Sequence, residues 1–555
     1  MTAREQSRSS FRYPSESTVR FLSRVGMLCG AGFLSVAGVI SASSPIADAA
    51  MQRQAETVRS LVQQRVDVNV PQADGTTALH WAAHWDDVGT AELLIRAGAN
   101  VMAANRDQAT PLFLASINGS KSLIELLIKS GADPNAPILR HGETALMMAA
   151  RTGKTDAVQV LLAHGAAVNA KEDLHGTTAL MWAAEQGHAS IIQLLLANGA
   201  DVNAQAAVLP IRKRGRGFAT DAALAAATAG GNSQARSLPL KGALTALLYA
   251  VRQGAMDCVQ VLVQAGANVN GASVDGSSPL LVAVQNGYYD IALFLLDHGA
   301  KPNAANAKGW TPLYLAVKNR NQEITAIPGP NTDGVLELIK TLLDRGTDPN
   351  IRIKADTEVH QVMNSLWLKE AGATPLLRAA MCGDLTVVRL LLAHGADPSI
   401  TTFDKTTALM LAAGVGWSDG MLREHSEAET LQVLNLLLEL GADVNAANTH
   451  GITALHGAAH KGADKAVQLL VDHGAKLDAK DNGEDYGFGA SSVRMTPLNW
   501  AEGVPIGGAS GIYHTTTVAL LTRLMTERGI PVVSNSFHAK KPDNYNFGGI
   551  GDSTK

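Results

Sequence analysis

Hydrophobic residues recur along this chain in two short, alternating patterns. In TTALHWAAH, residues 76–84, a threonine pair precedes apolar positions spaced three or four apart. In LLIRAGANV, residues 93–101, an apolar pair precedes a glycine and a turn. A spacing of three to four residues is the period of one helix face, and a glycine after such a segment ends a helix. Each pair of segments therefore predicts two short helices joined by tight turns.

The threonine phrase returns at a fixed spacing. Thr77, Thr110, Thr144 and Thr178 stand 33, 34 and 34 residues apart. The phrase recurs at later positions: Thr245, Ser278, Thr311, Thr374, Thr407, Thr453 and Thr496. A period near 33 predicts a stacked array in which no unit buries its apolar face alone.

The phrase itself predicts where the first helix of each unit begins. Threonine or serine before a helix accepts a hydrogen bond from a backbone amide that has no partner within the helix. Proline suits the next position, where no amide donor is needed. It occurs there in five units, at Pro111, Pro279, Pro312, Pro375 and Pro497.

Comparison of equivalent positions in different units indicates the roles of the neighbouring residues His80, Trp81 and His84. The position of His80 is filled elsewhere by Phe113, Met147, Met181, Leu248, Leu281, Tyr314, Leu377, Met410, His456 and Asn499. A metal ligand or proton carrier would not tolerate such variety, so His80 and His456 are predicted to pack and hydrogen-bond between their own turn and the next. The position of Trp81 is predicted to be core, and it is shared with Trp182, Tyr249, Leu315, Leu411 and Trp500.

This repeat resembles the ankyrin repeat, both in the T-A-L or T-P-L phrase and in endings such as LLAHGADPS at residues 391–399. The resemblance extends over about residues 50–525 and ten to eleven units. It implies an all-α solenoid of helix-turn-helix units with β-hairpin fingers, and we place the array at residues 45–529. Residues 530–555 lack the period and are predicted to form a flexible tail.

The resemblance also implies a concave binding surface made of finger tips and the exposed ends of the first helices. Matched unit by unit, the candidate partner-binding residues are His84, Trp85, Arg151, Thr152, Glu185, Gln186, Arg252, Gln253, Gln285, Asn286, Trp310, Lys318, Asn319, His460 and Lys461. Exposed tryptophan and arginine often dominate interfaces. Trp85 and Trp310 are therefore expected to be anchors, and Arg151, Arg252 and Lys318 to attract an acidic patch.

Inserts interrupt the period on both sides of the array. The regions near 205–242, 351–372 and 479–495 are predicted to extend fingers. The regions near 320–334, 414–429 and 503–513 are predicted to lengthen the turn between the two helices of one unit. Loops of this length inside a compact array are often functional or disordered.

Residues 1–44 are typical of a signal peptide or an N-terminal anchor. Five arginines precede or border the apolar run Val25–Ile40, and small residues follow at Ser41–Ser43 and Ala47–Ala49. This order predicts export, to a bacterial periplasm or the cell exterior, with cleavage at one of those two sites. An uncleaved Val25–Ile40 would instead tether the protein to a membrane.

The cysteines and the charge exclude several classes of function. Cys258 and Cys382, the two that remain outside the leader, lie three repeats apart and are predicted to be unpaired. The net charge is −4, and without the +3 of residues 1–44 it becomes −7, so nucleic acid is not an expected partner. A basic run, Arg212–Arg216, could contact phosphate or an acidic partner, or could be a solvated loop.

One catalytic motif requires consideration. Residues 416–420, GWSDG, match G-x-S-x-G, with Ser418 as nucleophile and Asp443 and His450 downstream. That motif needs a strand before it and a helix directly after it. Here a helical phrase precedes it and an insert follows, so catalysis is not favoured.

These observations predict a non-enzymatic scaffold that binds a protein partner. We expect a monomer that needs no cofactor and no metal. The alternatives are a membrane-tethered scaffold and a hydrolase that uses Ser418.

Overall fold

Short helices arranged in pairs are the main regular elements of the residues that the structure describes. The computed structural model describes residues 44–139, 141–210, 240–321, 332–355, 370–417, 425–483, 494–504 and 512–534. These residues contain twelve helix pairs and one two-stranded sheet. The predicted all-α solenoid is confirmed, with one pair more than the sequence indicated.

The helices alternate between a first and a second helix in each unit. The first helices are α1 (Pro45–Met51), α3 (Ala78–His84), α5 (Pro111–Asn118), α7 (Ala145–Thr152), α9 (Ala179–Gln186), α11 (Ala246–Gln253), α13 (Pro279–Gln285), α15 (Pro312–Arg320), α17 (Pro375–Met381), α19 (Ala408–Ala413), α21 (Ala454–Lys461) and α23 (Pro497–Ala501). The second helices are α2 (Ala55–Gln63), α4 (Val88–Arg96), α6 (Lys121–Lys129), α8 (Thr155–Ala163), α10 (Ala189–Ala197), α12 (Met256–Gln264), α14 (Tyr289–Asp297), α16 (Thr332–Asp344), α18 (Leu385–Ala393), α20 (Glu427–Glu439), α22 (Asp464–Asp472) and α24 (Thr515–Glu527).

Every predicted threonine or serine precedes a first helix as its N-cap. Thr110, for example, accepts a hydrogen bond from the amide of Phe113 at 3.2 Å, and Ser278 accepts one from Leu281 at 3.2 Å. The additional first pair escaped the pattern because Ser44 and Pro45 replace the threonine phrase before α1. The cap chemistry is the same, since the Ser44 hydroxyl accepts from the amide of Ala47 at 3.3 Å.

Stacking of the first helices produces one continuous core. α9 packs against α7 on one side and α11 on the other. The alanine pairs Ala149–Ala150 and Ala183–Ala184 are fully buried between neighbouring helices, at 0% exposure. Small side chains let the helices approach closely, so each unit covers the apolar face of the next.

Asparagines of the turns bond neighbouring units to each other. The Asn169 side-chain nitrogen donates to the carbonyl of Gly199 at 2.9 Å, and its oxygen accepts from the amide of Asp201 at 2.8 Å. Equivalent pairs of bonds are made by Asn69, Asn135, Asn203, Asn270, Asn303, Asn350 and Asn445. The sequence predicted that these residues complete their own turns, and they also bridge to the following unit.

The longest insert leaves the stack undisturbed. Strands β1 (Val208–Pro210) and β2 (Leu240–Gly242) pair antiparallel, with Pro210 opposite Leu240 at the end away from the stack. The chain between them, residues 211–239, lies outside the described residues and includes the basic run. Because α9 and α10 pack directly on α11 and α12, the array is continuous across this insert.

The C-terminal segment differs from the predicted flexible tail over its first five residues. The carbonyl of Val533 accepts a hydrogen bond from the Asn499 side-chain amide at 2.9 Å. The Ser534 hydroxyl donates to the carboxylate of Glu502 at 2.5 Å. Residues 530–534 are therefore held against the last unit, and residues 535–555 lie outside the described residues.

Trp310, Lys318 and Asn319 are buried, which corrects their predicted exposure. Each is 9% exposed. The Trp310 indole donates to the carbonyl of Ala355 at 3.0 Å, and the Lys308 ammonium lies 4.4 Å from the ring centroid. The Asn319 amide donates to the carbonyl of Val284 at 2.6 Å, which caps the preceding first helix. These side chains hold units together and are not available as the expected anchor or steering residues.

The buried histidines His80 and His456 confirm their predicted packing role. The amide of Thr77 donates to Nδ1 of His80 at 3.2 Å, and Nε2 lies 2.9 Å from the carbonyl of Ala109 in the next finger. His456 repeats this with the amide of Thr453 and the carbonyl of Met495, both at 3.2 Å. Since Nδ1 accepts a hydrogen bond, the ring is neutral. Burial lowers the pKa of His80 and lowers that of His456 to about 4.

The neutral His456 ring predicts acid sensitivity of the fold. The unfolded chain takes up a proton at this imidazole near pH 6.5, whereas the folded chain does not until the pH approaches 4. Stability is therefore full above pH 6.5, and His456 alone removes about 3 kcal/mol as the pH falls to 4. Urea unfolding across this pH range measures the loss. His456→Asn should reduce the pH dependence by about one proton, because Asn499 already bridges the same way in the last unit. An unchanged pH dependence in this variant would assign the effect to other groups.

The burial of Trp310 predicts a contrast with Trp85, which is 38% exposed. Trp310→Ala should lower the free energy of unfolding by about 3 kcal/mol, because it leaves a cavity in the stack. Trp85→Ala should lower it by no more than about 1 kcal/mol. Chemical denaturation of both variants checks this, and equal losses would contradict the assignment of Trp310 to the core.

Candidate partner-binding surface

The remaining predicted residues lie at the ends of first helices, as the repeat pattern indicated. Thr152, Arg252, Gln253 and Gln285 are exposed. Glu185, Gln186 and Asn286 are half-buried. Seven of the predicted residues, His84, Trp85, Arg151, Glu185, Arg252, His460 and Lys461, belong to three local clusters with other side chains.

The first cluster surrounds Trp85 at the N-terminal end of the array. The Trp85 ring stacks on Trp81 with centroids 6.4 Å apart, and the His84 ring lies edge-on to Trp85 at 4.6 Å. The Trp85 indole donates to the carbonyl of Met51 at 3.1 Å, and the Arg53 guanidinium lies 5.3 Å from its centroid. Burial lowers the pKa of His84, which favours its neutral form. Trp85 is therefore an oriented aromatic surface whose outer part faces solvent.

The second cluster, here called the central groove, consists of Arg151, Trp182, Glu185, Tyr249 and Arg252. These residues come from three successive first helices, α7, α9 and α11. The Arg151 guanidinium lies 4.5 Å from the centroid of the Trp182 ring, within the range of a cation–π contact. Arg151 is half-buried, and this burial lowers its pKa despite the nearby Glu185 and Glu143 carboxylates.

The charge of Glu185 acts on groups of the central groove that lie on both neighbouring helices, Arg151 and Tyr249. It lies close enough to Arg151 to favour the charged guanidinium. Burial, together with the Glu185 charge, raises the pKa of Tyr249 to about 12, against the opposing charge of Arg252. The Tyr249 hydroxyl is therefore protonated at neutral pH and able to donate a hydrogen bond.

The core prediction for the repeat position of Trp182 and Tyr249 is wrong in part, because these two side chains are partly exposed. Trp500, Leu315 and Leu411 are buried at 0–3% exposure, as predicted. Trp81, Trp182 and Tyr249 occupy the same position but are only half-buried.

The partner of the indole nitrogen distinguishes Trp182 from its equivalents. Trp81 donates to the side chain of Gln72 at 2.8 Å, and Trp500 donates to Asp481 at 2.9 Å. The equivalent acid for Trp182 is Glu172, which accepts hydrogen bonds from its own loop, including the amide and hydroxyl of Thr177. The buried Trp182 nitrogen has no hydrogen-bond partner among the described residues.

A cavity of about 450 Å³ opens beside the central groove. It lies between the β1–β2 finger, the following finger and α11, and its lining includes Leu209, Lys241, Tyr249, Arg252 and Val274. Lys241 belongs to the 205–242 insert region, and sequence comparison gave no reason to single it out. A volume of this size lies within the range of pockets that enclose a ligand.

The third cluster lies near the C-terminal end and contains His460 and Lys461, both half-buried. The His460 ring is edge-on to Trp500 at 5.6 Å and to Trp417 at 6.1 Å. Burial, with the nearby His514, lowers the pKa of His460 to about 4. The Lys461 ammonium lies 6.0 Å from the Trp417 centroid. His460 is thus largely occupied by packing within the last units.

A charged cluster that sequence analysis missed lies between α15 and α18. The Arg320 side chain bonds to the fully buried carboxylate of Asp384 at 2.7 Å, and His425 lies 3.7 Å from the same carboxylate. The amide of Val387 also donates to Asp384 at 3.2 Å, which makes Asp384 the N-cap of α18. The arrangement anchors α18 to α15 and to the chain that follows residues 418–424.

Ser418, the nucleophile of the hydrolase alternative, lies outside the described residues, so the structure does not test that alternative at this residue. Its proposed acid, Asp443, accepts a hydrogen bond from the amide of Asn445 at 2.9 Å and so completes a turn. Cys258 and Cys382 are both buried and form no disulfide with each other, and burial raises the pKa of Cys258 to about 11. Within the described ranges, no cluster of three or more His, Cys, Asp or Glu side chains is arranged to hold a metal ion.

Known proteins similar to this chain include eukaryotic proteins of yeast and mammals. Palmitoyltransferase AKR1 of Lachancea kluyveri is 34% identical over 145 residues, 26% of this chain and 17% of that protein. Ankyrin repeat and SOCS box protein 16 of Mus musculus is 39% identical over 107 residues, 19% and 22% of the two chains. Ankyrin repeat, SAM and basic leucine zipper domain-containing protein 1 of Dasypus novemcinctus is 39% identical over 145 residues, 26% and 25% of the two chains. The chain thus spans a quarter or less of the length of these relatives, and their origin gives no support to the expected bacterial type.

Family profiles identify the repeat along most of the chain. The human ASB11 ankyrin repeat domain is 23% identical, with a TM-score of 0.37, and the match covers 47% of this chain and 100% of that one. The profile described as ankyrin repeats (3 copies) matches residues 46–138, 137–206, 223–306, 331–421 and 422–503. A second profile, ankyrin repeats (many copies), matches residues 286–327. Since these matches cover well over half of its length, the chain belongs to the ankyrin repeat family.

Proposed function

We propose that this protein is a non-enzymatic scaffold that binds a protein partner through the central groove. The observation that carries the proposal is the row of half-exposed aromatic and charged side chains on α7, α9 and α11. Positions that pack in other units are here occupied by Trp182 and Tyr249, which offer rigid, partly exposed surface at low entropic cost. Ankyrin repeats generally mediate protein–protein binding, which supports this assignment.

The charges of the groove favour an acidic patch on the partner. Arg252 is exposed and forms no ion pair with a described carboxylate. The Arg151 guanidinium lies over the Trp182 ring and also interacts electrostatically with Glu185. Lys318, the third cation expected to attract an acidic partner, is buried and is not part of this surface.

The names of some relatives describe an enzyme or further domains, but the matched regions are too short to assign those activities to this chain. The match to palmitoyltransferase AKR1 covers 17% of that protein. We therefore propose a binding role without catalysis. Labelling with a serine-directed fluorophosphonate probe tests this, since labelling lost in Ser418→Ala would support the hydrolase instead.

We also propose export, with cleavage at Ser41–Ser43. Residues 1–43 lie outside the described residues, and within the described ranges no helix has the length and apolarity needed to cross a membrane. The alternative cleavage site, Ala47–Ala49, lies inside α1, where Ile46 and Ala47 are 0% exposed and Ala49 is 4% exposed. Cutting after Ala49 would remove five of the seven residues of α1, which packs against α3.

The cleavage site gives a direct prediction. N-terminal sequencing of the exported protein should find Ser44 as its first residue. A mature chain that starts at Ala50 would contradict this assignment. Retention of Val25–Ile40 would support the membrane-tethered alternative.

Charge reversal at the groove tests partner binding. Arg252→Glu should reduce affinity capture of the partner at least tenfold, because an acidic surface would then meet a carboxylate. Arg389→Glu is the matched control, since Arg389 is exposed on the second helix α18 and the change in net charge is the same. Both variants should keep the wild-type melting temperature. Equal capture by Arg252→Glu and wild type would contradict the proposed groove.

A further inference from the structure

The cavity beside the central groove has apolar walls that are already in place. Its lining includes Ala206, Leu209, Leu244 and Val274. Backbone hydrogen bonds hold these walls together: Ala207 donates to the carbonyl of His175 at 2.6 Å, and Val274 donates to the carbonyl of Gly242 at 3.2 Å. A preformed pocket binds without the entropic cost of ordering its walls.

Two cationic side chains lie at the mouth of the cavity, and neither forms an ion pair with a described carboxylate. Lys241 and Arg252 are both exposed and line the cavity. The one carboxylate in the lining, Asp275, is occupied by the hydroxyls of Ser273 at 2.5 Å and Ser277 at 2.9 Å. These bonds keep the pKa of Asp275 low, and they direct its oxygens into its own turn. The nearby Glu185 charge is offset by Arg151 in the groove.

Exposed apolar side chains continue from the walls to the finger tips. Leu174 is 48% exposed and Val208 is 50% exposed, each next in sequence to a residue of the cavity lining. Large apolar side chains that remain exposed beside a concave site are typical of a binding surface. The region therefore combines an apolar pocket, an apolar rim and unpaired cations.

We propose that this cavity is the anchor site for an acidic peptide segment of the partner that carries two adjacent large apolar side chains. One of the two enters between Leu209, Leu244 and Val274. Flanking carboxylates pair with Lys241 and Arg252, and the Tyr249 hydroxyl donates a hydrogen bond to the peptide. This inference rests on the proposed function and specifies the chemistry of the partner.

Fluorescence anisotropy with synthetic probes tests the pocket on the full chain. The probe is a fluorescein-labelled peptide of sequence GDELFDEG, and the matched peptides are GDEGGDEG and GKKLFKKG. The first peptide should bind, the second at least tenfold more weakly, and the third without detectable affinity. Equal binding of the first two peptides would show attraction by charge alone and would overturn the pocket.

Two variants test whether the peptide probe binds in the cavity. Val274→Trp fills the cavity, and Lys241→Glu reverses the charge at its mouth; each should weaken binding of GDELFDEG at least tenfold. Leu440→Trp and Arg389→Glu are controls at exposed positions away from the cavity, and they should bind as wild type does. Melting temperatures identify any variant that fails to fold, and either variant alone is sufficient for the test. Wild-type affinity in a folded Val274→Trp or Lys241→Glu protein would overturn the proposal.

The outcomes separate this proposal from the proposed function. If GDELFDEG does not bind the wild-type chain while Arg252→Glu still reduces capture of the partner, the pocket is wrong and the scaffold function remains. If Arg252→Glu leaves capture unchanged, the groove itself is wrong.

Discussion

The fold depends on the burial of one small apolar face between successive first helices. Helices of seven to nine residues, such as α3 and α5, are too short to be stable alone in water. Alanine pairs on these helices reach complete burial only when another unit is stacked on each side. The asparagine bridges add two hydrogen bonds at each of eight junctions, and these link turns that stacking has already brought together.

This constraint also determines what is left for function. The alanine pairs of the first helices are committed to stacking, whereas the position that holds Trp182 or Trp500 is buried in some units and partly exposed in others. The difference between Trp500 and Trp182 illustrates it. Both follow the same threonine phrase, but Trp500 donates to Asp481 and is fully buried, whereas Trp182 has no indole partner among the described residues and lies half-buried beside Arg151. The same repeat position therefore belongs to the core in one unit and is partly exposed in another.

The sequence predicted the fold well because it is repeated. The N-caps, the fold class and the role of His80 follow from positions that recur in every unit. Prediction failed where a unit departs from the pattern. Ser44 begins a unit without the threonine phrase, and the indole of Trp310 bonds to Ala355 across an insert. The cavity could not be predicted, because it joins Lys241 and Val274 from two fingers with Arg252 from a helix, and no single repeat position contains all three.

The most direct test of this account is whether stacking continues across the 211–239 insert. Replacing residues 211–239 with an Asn-Gly turn would close β1 and β2 into a tight hairpin, because Pro210 and Leu240 are already paired. The account predicts one cooperative unfolding transition, monitored by circular dichroism in urea, with a midpoint close to that of the full chain. Two separate transitions, or loss of folding in either half, would show that the units before and after the insert do not form one stack.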